Sequence, residues 1–381
     1  MKSSGKHRYR RRGIGSVSAV DAAAAGSIGV VRSAFGPTRE GDDFTRLVQP
    51  YLAGLGAHCY RMLGSSHDAD DALQDALLRA WRGFHGFDAS RALQPWLYKV
   101  ATNACLDAIA KRSRRKLPSG PGETHGGPEP AWIEPYADQR LGLPDGYASP
   151  DARYEQREAV ELAFVAALQH VTPRQRAVLI LRDVLGFSAN ETAELVDTSP
   201  ASVNSAVRRA RQTVEKRLPV PSQLETIRSL GDERLREIAR QFMDAFESGD
   251  VQTILAVLAE DVAFSMPEER TWCRGRDAVS RSWLMPSGPP RSLRYIQTRA
   301  NGQLAFGVYR VEERSGQYLP LALDVVSLRG TLVVAVAAFR APEIFSRFAL
   351  PDRLPPAREG GVAQPVPDRR LLTPSAPAPR R

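Results

Sequence analysis

Cysteine is almost absent from the 381 residues: Cys59, Cys105 and Cys273 stand alone and far apart. That excludes a disulfide framework and a paired-cysteine zinc site, fits a reducing compartment, and leaves small apolar core positions as the plain reading of all three. Long apolar runs are missing too. Nothing approaches the ~20 residues needed to span a bilayer, and Ala22–Gly29, mostly alanine and glycine, lacks the compact apolar stretch of a secretory signal. A cytoplasmic protein with no membrane partner is therefore expected. No metal site and no cofactor are expected either. With 43% hydrophobic and 25% charged residues the chain has the composition of a globular protein, and its length predicts two or three domains.

Acid is scarce where base is dense. The formal charge is +9, from 52 Lys+Arg against 43 Asp+Glu, and the excess is clustered. Met1–Arg12 carries Lys2, Lys6, Arg8, Arg10, Arg11 and Arg12 without an acid. It heads residues 1–40, which read as a disordered basic tail, and a start site downstream of the basic run is left open. Two further clusters are Lys111–Lys116 and Arg208–Arg217. Basic clusters bind phosphates by releasing condensed counterions. Singly each reads as a solvated face; on helices inside defined motifs, two of them point to nucleic acid.

Residues 41–116 read as a helical module. Leu73, Leu77 and Ala80 recur at helical spacing beside Asp70, Asp71, Gln74 and Asp75, and Pro95 opens a helix that ends in the second basic cluster. Residues 117–150 are rich in proline and glycine and carry Glu123, Glu129, Glu134, Asp138 and Asp145, which predicts an acidic linker. Its island Trp132–Tyr136 is too apolar for a pure spacer and is expected to dock.

Helix-start signals then crowd residues 151–220. Thr172-Pro173 with Gln175 predicts an N-cap with a reciprocal partner, Ser188 with Glu191 a capping box, and Ser199-Pro200 a third start. A short helix, a tight turn and a second helix make a helix-turn-helix. On the second helix Val203, Val207, Ala210 and Val214 share a narrow arc, and Ser202, Asn204, Ser205, Arg208, Arg209 and Gln212 occupy the rest. A charged helix on any bundle is the bland alternative. A face this poor in acids favours reading of DNA, with polar donors for base edges and arginines for phosphates.

Residues 230–350 change character. An amphipathic helix (Leu235, Ile238, Phe242, Phe246) ends at Ser248-Gly249-Asp250, a short helix follows, and strand-like runs cover Val262–Met266, Leu304–Arg310, Leu319–Leu328 and Leu332–Phe339. Helices followed by strands predict an α+β domain. Residues 351–381, rich in Pro, Ala and Arg, read as a disordered tail.

These motifs resemble a known family. Asp183–Leu195 followed by Ser199–Arg211 closely resembles region 4 of extracytoplasmic-function sigma factors, members of the sigma-70 family. The resemblance implies that this element reads the −35 promoter element through Ser202, Asn204, Ser205, Arg208, Arg209 and Gln212. Asp68–Trp81 is similar to region 2.2, which implies docking on the β′ subunit of core RNA polymerase through Asp68, Asp71, Gln74, Asp75 and Trp81. Leu73 and Leu77 are expected to add apolar anchorage. Pro95–Asp107 is similar to regions 2.3 and 2.4, which open and read the −10 element; Trp96, Lys99, Asn103, Asp107, Arg112 and Arg115 are the implied contacts. Stacking of captured bases on aromatics contributes ~1–3 kcal/mol per base, and Trp96 and Tyr98 are the aromatics available. The segment Asp88–Gln94 departs in length from common members. By the same resemblance, the linker threads the polymerase cleft beside β′ and β.

The last domain resembles the SnoaL-like branch of the cone-shaped NTF2 fold, through Ser248–Asp250, Asp261-Val262 and Trp272–Ala278. The expected architecture is thus multidomain: two all-α sigma domains, the second a helix-turn-helix, plus a C-terminal α+β cone. Some cone relatives are enzymes, so Asp324, Arg276 and Asp277 are weighed as catalytic candidates. Asp277 reads more simply as an N-cap and Asp324 as a strand-face carboxylate, and no acid–base pair with a recognisable partner emerges. Catalytic residues are therefore expected to be none, and the domain is expected to modulate activity, with a small-molecule or a protein regulator both left open. The alternative, a SnoaL-like enzyme tethered to a DNA-binding module, has no need of the Asp68–Trp81 helix or the Trp96–Asp107 segment.

Overall fold

The computed structural model describes residues 39–84, 86–87, 92–115, 133–140, 161–218, 221–267, 269, 271–281, 292–340 and 342–356. The basic N-terminal run, most of the linker with Trp132, the segment Asp88–Arg91 and the tail from residue 357 lie outside them.

Four helices form the first module: α1 (Arg39–Val48), α2 (Leu52–Leu63), α3 (Ser66–Phe84) and α4 (Leu93–Arg115). Apolar burial drives their packing. α2 is nearly all buried, and α3 turns Ala69, Ala72, Leu73, Ala76, Leu77 and Ala80 inward at i, i+3, i+4 spacing. Gly64 stops α2 in the left-handed region (φ 71°), its N–H closing on the Tyr60 carbonyl at 2.8 Å. α4 starts two residues before Pro95, and Leu97, Tyr98, Ala101, Ala104 and Cys105 line its inner face.

The second module holds α5 (Leu162–Gln169), α6 (Pro173–Leu179) running into a π turn at Ile180–Val184, α7 (Ala189–Leu195) and α8 (Pro200–Glu215). The Ser188–Glu191 capping box forms as expected. Thr172 is the residue before α6, but its side chain makes no capping bond; Pro173 alone supplies the start signal. On α8 the predicted arc of Val203, Val207, Ala210 and Val214 is the buried one. One continuous apolar core runs through both modules.

The C-terminal domain opens with α9 (Gln223–Ser248), capped by Ser222 and Glu225 and kinked at Gly231, then α10 (Val251–Val257). Six strands follow: β1 (Leu258–Met266), β2 (Thr271–Arg274), β3 (Leu293–Ala300), β4 (Gln303–Val311), β5 (Tyr318–Arg329) and β6 (Leu332–Phe339). A one-turn helix, α11 (Arg276–Val279), sits between β2 and β3. The sheet order is β2-β1-β6-β5-β4-β3, with β1 and β6 parallel and every other pair antiparallel. One face packs Phe306, Val326 and Val336 under Phe242 and Phe246 of α9. The other packs Tyr309, Leu323 and Val325 under Phe345 and Phe348 of a closing 3-10 turn, Pro342–Phe348. Neither β2 nor β3 is evident in the sequence reading. Cys59 and Cys105 are buried and Cys273 is half-buried.

Candidate functional site

Three surfaces carry the residues singled out in the sequence. On α3, Asp71 and Gln74 are exposed. Asp68 bonds Arg112 at 3.1 Å, and Asp75 bonds Arg79 at 2.7 Å. Trp81 is half-buried, its ring edge-on to Phe44 at 5.2 Å. Leu73 and Leu77 are buried in the core, so they hold α3 in place and offer a partner no anchorage, contrary to expectation.

Along α4 the expected contacts divide. Trp96 is half-buried against Phe87, with ring centroids 4.9 Å apart. Tyr98, the other aromatic of the segment, is buried between His58 and Phe187, and burial pushes its phenol up to about 12. Lys99 reaches across to the second module, donating to the Asp197 carboxylate at 2.6 Å and the Glu194 carbonyl at 2.9 Å. Asn103 is half-buried, and exposed Asp107 accepts from Arg79 at 2.7 Å. Arg115 closes the helix.

The helix-turn-helix consists of α7, a turn in which Asp197 takes a left-handed φ of 51°, and α8. Ser199 caps α8: its Oγ accepts from the Ser202 N–H at 3.2 Å and lies 2.9 Å from the Ser202 hydroxyl. Ser202, Asn204, Arg208, Arg209 and Gln212 are exposed and Ser205 is half-buried. Asn204, Arg208 and Gln212 share an open cleft of about 430 Å³ with Arg182, Arg211 and Glu215. The sequence reading missed Arg182, whose only signal was its place beside Asp183. Arg211 is bound by Asp183 through two bonds, 2.7 and 2.8 Å, which hold its guanidinium above the ordinary value.

A fourth surface joins the first module to the C-terminal domain. Residues 133–140 of the linker lie between α2 and the β3–β4 turn, with Ile133, Tyr136 and Ala137 buried. The Tyr136 ring stacks on Tyr60 at 4.5 Å, and Ala137 bridges Ala300 of β3. Glu134 accepts from the Ser66 hydroxyl at 3.0 Å and the His67 N–H at 3.1 Å, which satisfies donors at the start of α3.

In the C-terminal domain, Asp324 sits fully buried on the α9 side of the sheet, and neither of its oxygens has a hydrogen-bond partner among the described residues. Burial pushes its carboxyl up to about 8. Arg276 is committed to the Leu258 carbonyl, with Nε at 3.0 Å. Asp277 is exposed inside α11, whose N-cap is Gly275 rather than Asp277; Gly275 has φ 88°, a conformation that glycine adopts freely.

A capped helix-turn-helix with an acid-poor outer face, joined to a second helical module with an exposed acidic helix, defines a transcription initiation factor of the sigma type. Comparison with known proteins agrees. Residues 47–115 match the family model for sigma-70 region 2, residues 161–214 that for sigma-70 region 4, and residues 239–339 that for the SnoaL-like domain. The chain is 38% identical to the ECF RNA polymerase sigma factor SigG of Mycobacterium tuberculosis over 331 residues, 82% of this chain and 85% of that one. Over 181 residues it is 29% identical to the ECF RNA polymerase sigma factor SigW of Bacillus subtilis, covering 46% of this chain and 89% of the relative. The crystal structure of the M. tuberculosis extracytoplasmic function sigma factor SigJ superposes with a TM-score of 0.53 at 21% identity, covering 79% of this chain and 98% of that one. The chain belongs to the extracytoplasmic-function sigma factors, with sigma-70 regions 2 and 4 and a C-terminal SnoaL-like domain. Its function is that of an RNA polymerase sigma factor, which binds the polymerase and promoter DNA and is not an enzyme.

Proposed function

We propose a division of labour among the named residues. Asp71 and Gln74, flanked by Asp68, Asp75 and Trp81, dock α3 on the polymerase β′ subunit. Exposed carboxylates there complement basic partner residues, and such complementarity speeds encounter and fixes register more than it adds affinity. Ser202, Asn204 and Ser205 near the start of α8 read base edges of the −35 element, while Arg208, Arg209 and Gln212 hold its backbone. Trp96, Lys99, Asn103, Asp107, Arg112 and Arg115 serve the −10 element, with Trp96 in place of Tyr98 as the aromatic available to a displaced base. The acidic linker threads the cleft between β′ and β. The C-terminal domain modulates activity in the cytoplasm, where the polymerase works.

The observation that carries this reading is the outer face of α8: exposed donors and arginines on a helix whose opposite arc is fully committed to the core. The test is promoter-dependent transcription with purified bacterial core polymerase, comparing the full chain with a Met1–Leu218 truncation. Defined start sites from either protein support the reading, and their ratio gives the sign of control by the C-terminal domain. Failure of both to bind core polymerase would remove it.

A further inference from the structure

The arginines of α8 differ in what neutralises them. At 3.6 residues per turn Asn204, Arg208, Arg211 and Glu215 fall on one flank of the helix, and all four line the cleft that Arg182 enters from the π turn. Arg208 and Arg209 have no acidic partner among the described residues. Arg211 faces two acids. Asp183 accepts from its Nε–H at 2.7 Å and its Nη2–H at 2.8 Å, and Glu215, one turn further on, adds its attraction.

The carboxylate that holds Arg211 is itself held. Asp183 lies in the π turn Ile180–Val184, a rare form of helix that recurs at functional sites. The Leu185 N–H closes that turn on the Ile180 carbonyl at 3.0 Å, and the Phe187 N–H closes on the Leu181 carbonyl at 3.0 Å. Asp183 keeps 25% of its side-chain surface exposed against 54% for Arg211, so the carboxylate is the fixed member of the pair. The bonds occupy the Nε–H and one Nη2–H of Arg211, donors that a guanidinium otherwise offers to a phosphate as a bidentate fork.

An acid beside a DNA-reading helix weakens DNA binding by more than it strengthens the fold. Exposed ion pairs add little to stability. Every phosphate that a cation neutralises, by contrast, steepens log K against log salt by ~0.9 and strengthens binding to any sequence. Binding to any sequence works against a promoter reader, because non-promoter DNA offers vastly more sites than promoters do. A guanidinium clamped by a carboxylate is one phosphate contact fewer on every sequence alike.

We propose that Asp183 restrains sequence-independent DNA binding: by clamping Arg211 it withholds from DNA phosphates a cation that stands on the recognition helix. Arg211 is then a fastening residue and not a DNA contact. Base reading by Ser202, Asn204 and Ser205 needs no part of that cation, so the promoter is still read. The restraint rests on the reading of α8 given above, in which its outer face meets DNA.

The test is binding of the full chain, without polymerase, to a duplex of scrambled sequence, read by fluorescence anisotropy from about 50 to about 200 mM salt. Asp183→Asn, with Asp183→Ala as a second form of the same deletion, is expected to bind tighter at low salt with a slope steeper by about 0.9. Its lead over the parent then shrinks about 3.5-fold across that fourfold range. Arg211→Ala is expected to keep the parent's slope, and Asp183→Asn with Arg211→Ala to return to it. A parental slope in both Asp183 variants, with helix content retained by circular dichroism, would overturn the restraint and leave the pair a fastening of the π turn to α8. A lower slope in Arg211→Ala would also overturn it, since Arg211 would already be a contact. So would steepening that survives in the double variant, which reports only a lost negative charge. Arg208→Ala with Arg209→Ala reads the outer face itself: if slope and affinity both match the parent's, the reading of α8 falls and the restraint falls with it.

Discussion

Lys99 of α4 and Asp197 of the helix-turn-helix form an ion pair at 2.6 Å across the boundary between the two sigma modules. Both side chains are substantially exposed, and exposed pairs contribute only ~0–1 kcal/mol. The pair therefore adds little to stability while it occupies a cation that is proposed for the −10 element. Asp197→Ala is expected to leave the unfolding midpoint within a few degrees of the parent and to strengthen binding of single-stranded −10 DNA at low salt, read by fluorescence anisotropy. Unchanged DNA binding would mean that Lys99 is not a DNA contact.

Arg208 and Arg209 stand on the acid-poor face of α8. Replacing either with Ala is expected to weaken promoter binding and to lower the slope of log K against log salt by about 0.9 per lost phosphate contact. The deficit then shrinks as salt rises. A loss that is constant across the salt series would argue against phosphate contact.

The two faces of α3 predict opposite outcomes. Asp71→Ala with Gln74→Ala removes exposed groups, and it is expected to weaken polymerase binding with no loss of thermal stability. Leu77→Ala empties a position 1% exposed, and buried Leu→Ala changes cost ~2–5 kcal/mol. It is expected to destabilise region 2 measurably in urea. Equal destabilisation by both changes would mean that α3 is structural throughout.

Asp324 makes stability of the C-terminal domain depend on pH. Its folded-state value of about 8 lies above the ordinary 3.8 because burial disfavours the charge. Between those values the folded chain holds a proton that the unfolded chain has released, so stability falls as pH rises from about 4 to about 8, by at most about 1.4 kcal/mol per pH unit. Below that window both states are protonated and the penalty vanishes. Asp324→Asn is expected to be more stable than the parent at pH 8 and to lose most of that advantage at pH 5, in paired thermal melts. A difference independent of pH would contradict the assignment.

Much of this was legible in the sequence because it is local. The inward arc of α8, the Ser188 box and the helix end at Gly249 follow from spacing and capping chemistry within a few residues. β3 was not. It is an edge strand whose Arg294 and Arg299 interrupt the apolar alternation, as charges on edges do. Which of Trp96 and Tyr98 faces outward was not legible either, because an aromatic on a helix carries no mark of which way it faces until Phe187, far along the chain, packs on Tyr98. The Asn301–Tyr60 bond spans 241 residues, and no periodicity encodes such a contact. The island Trp132–Tyr136 did signal that the linker docks, though not where.

The most direct measurement is run-off transcription from a matched promoter by purified bacterial core polymerase, with the full-length parent beside the variant that carries Asp71→Ala and Gln74→Ala. Defined start sites that depend on this protein are expected, with less transcript from the variant. No start sites and no core binding from either protein would contradict this expectation.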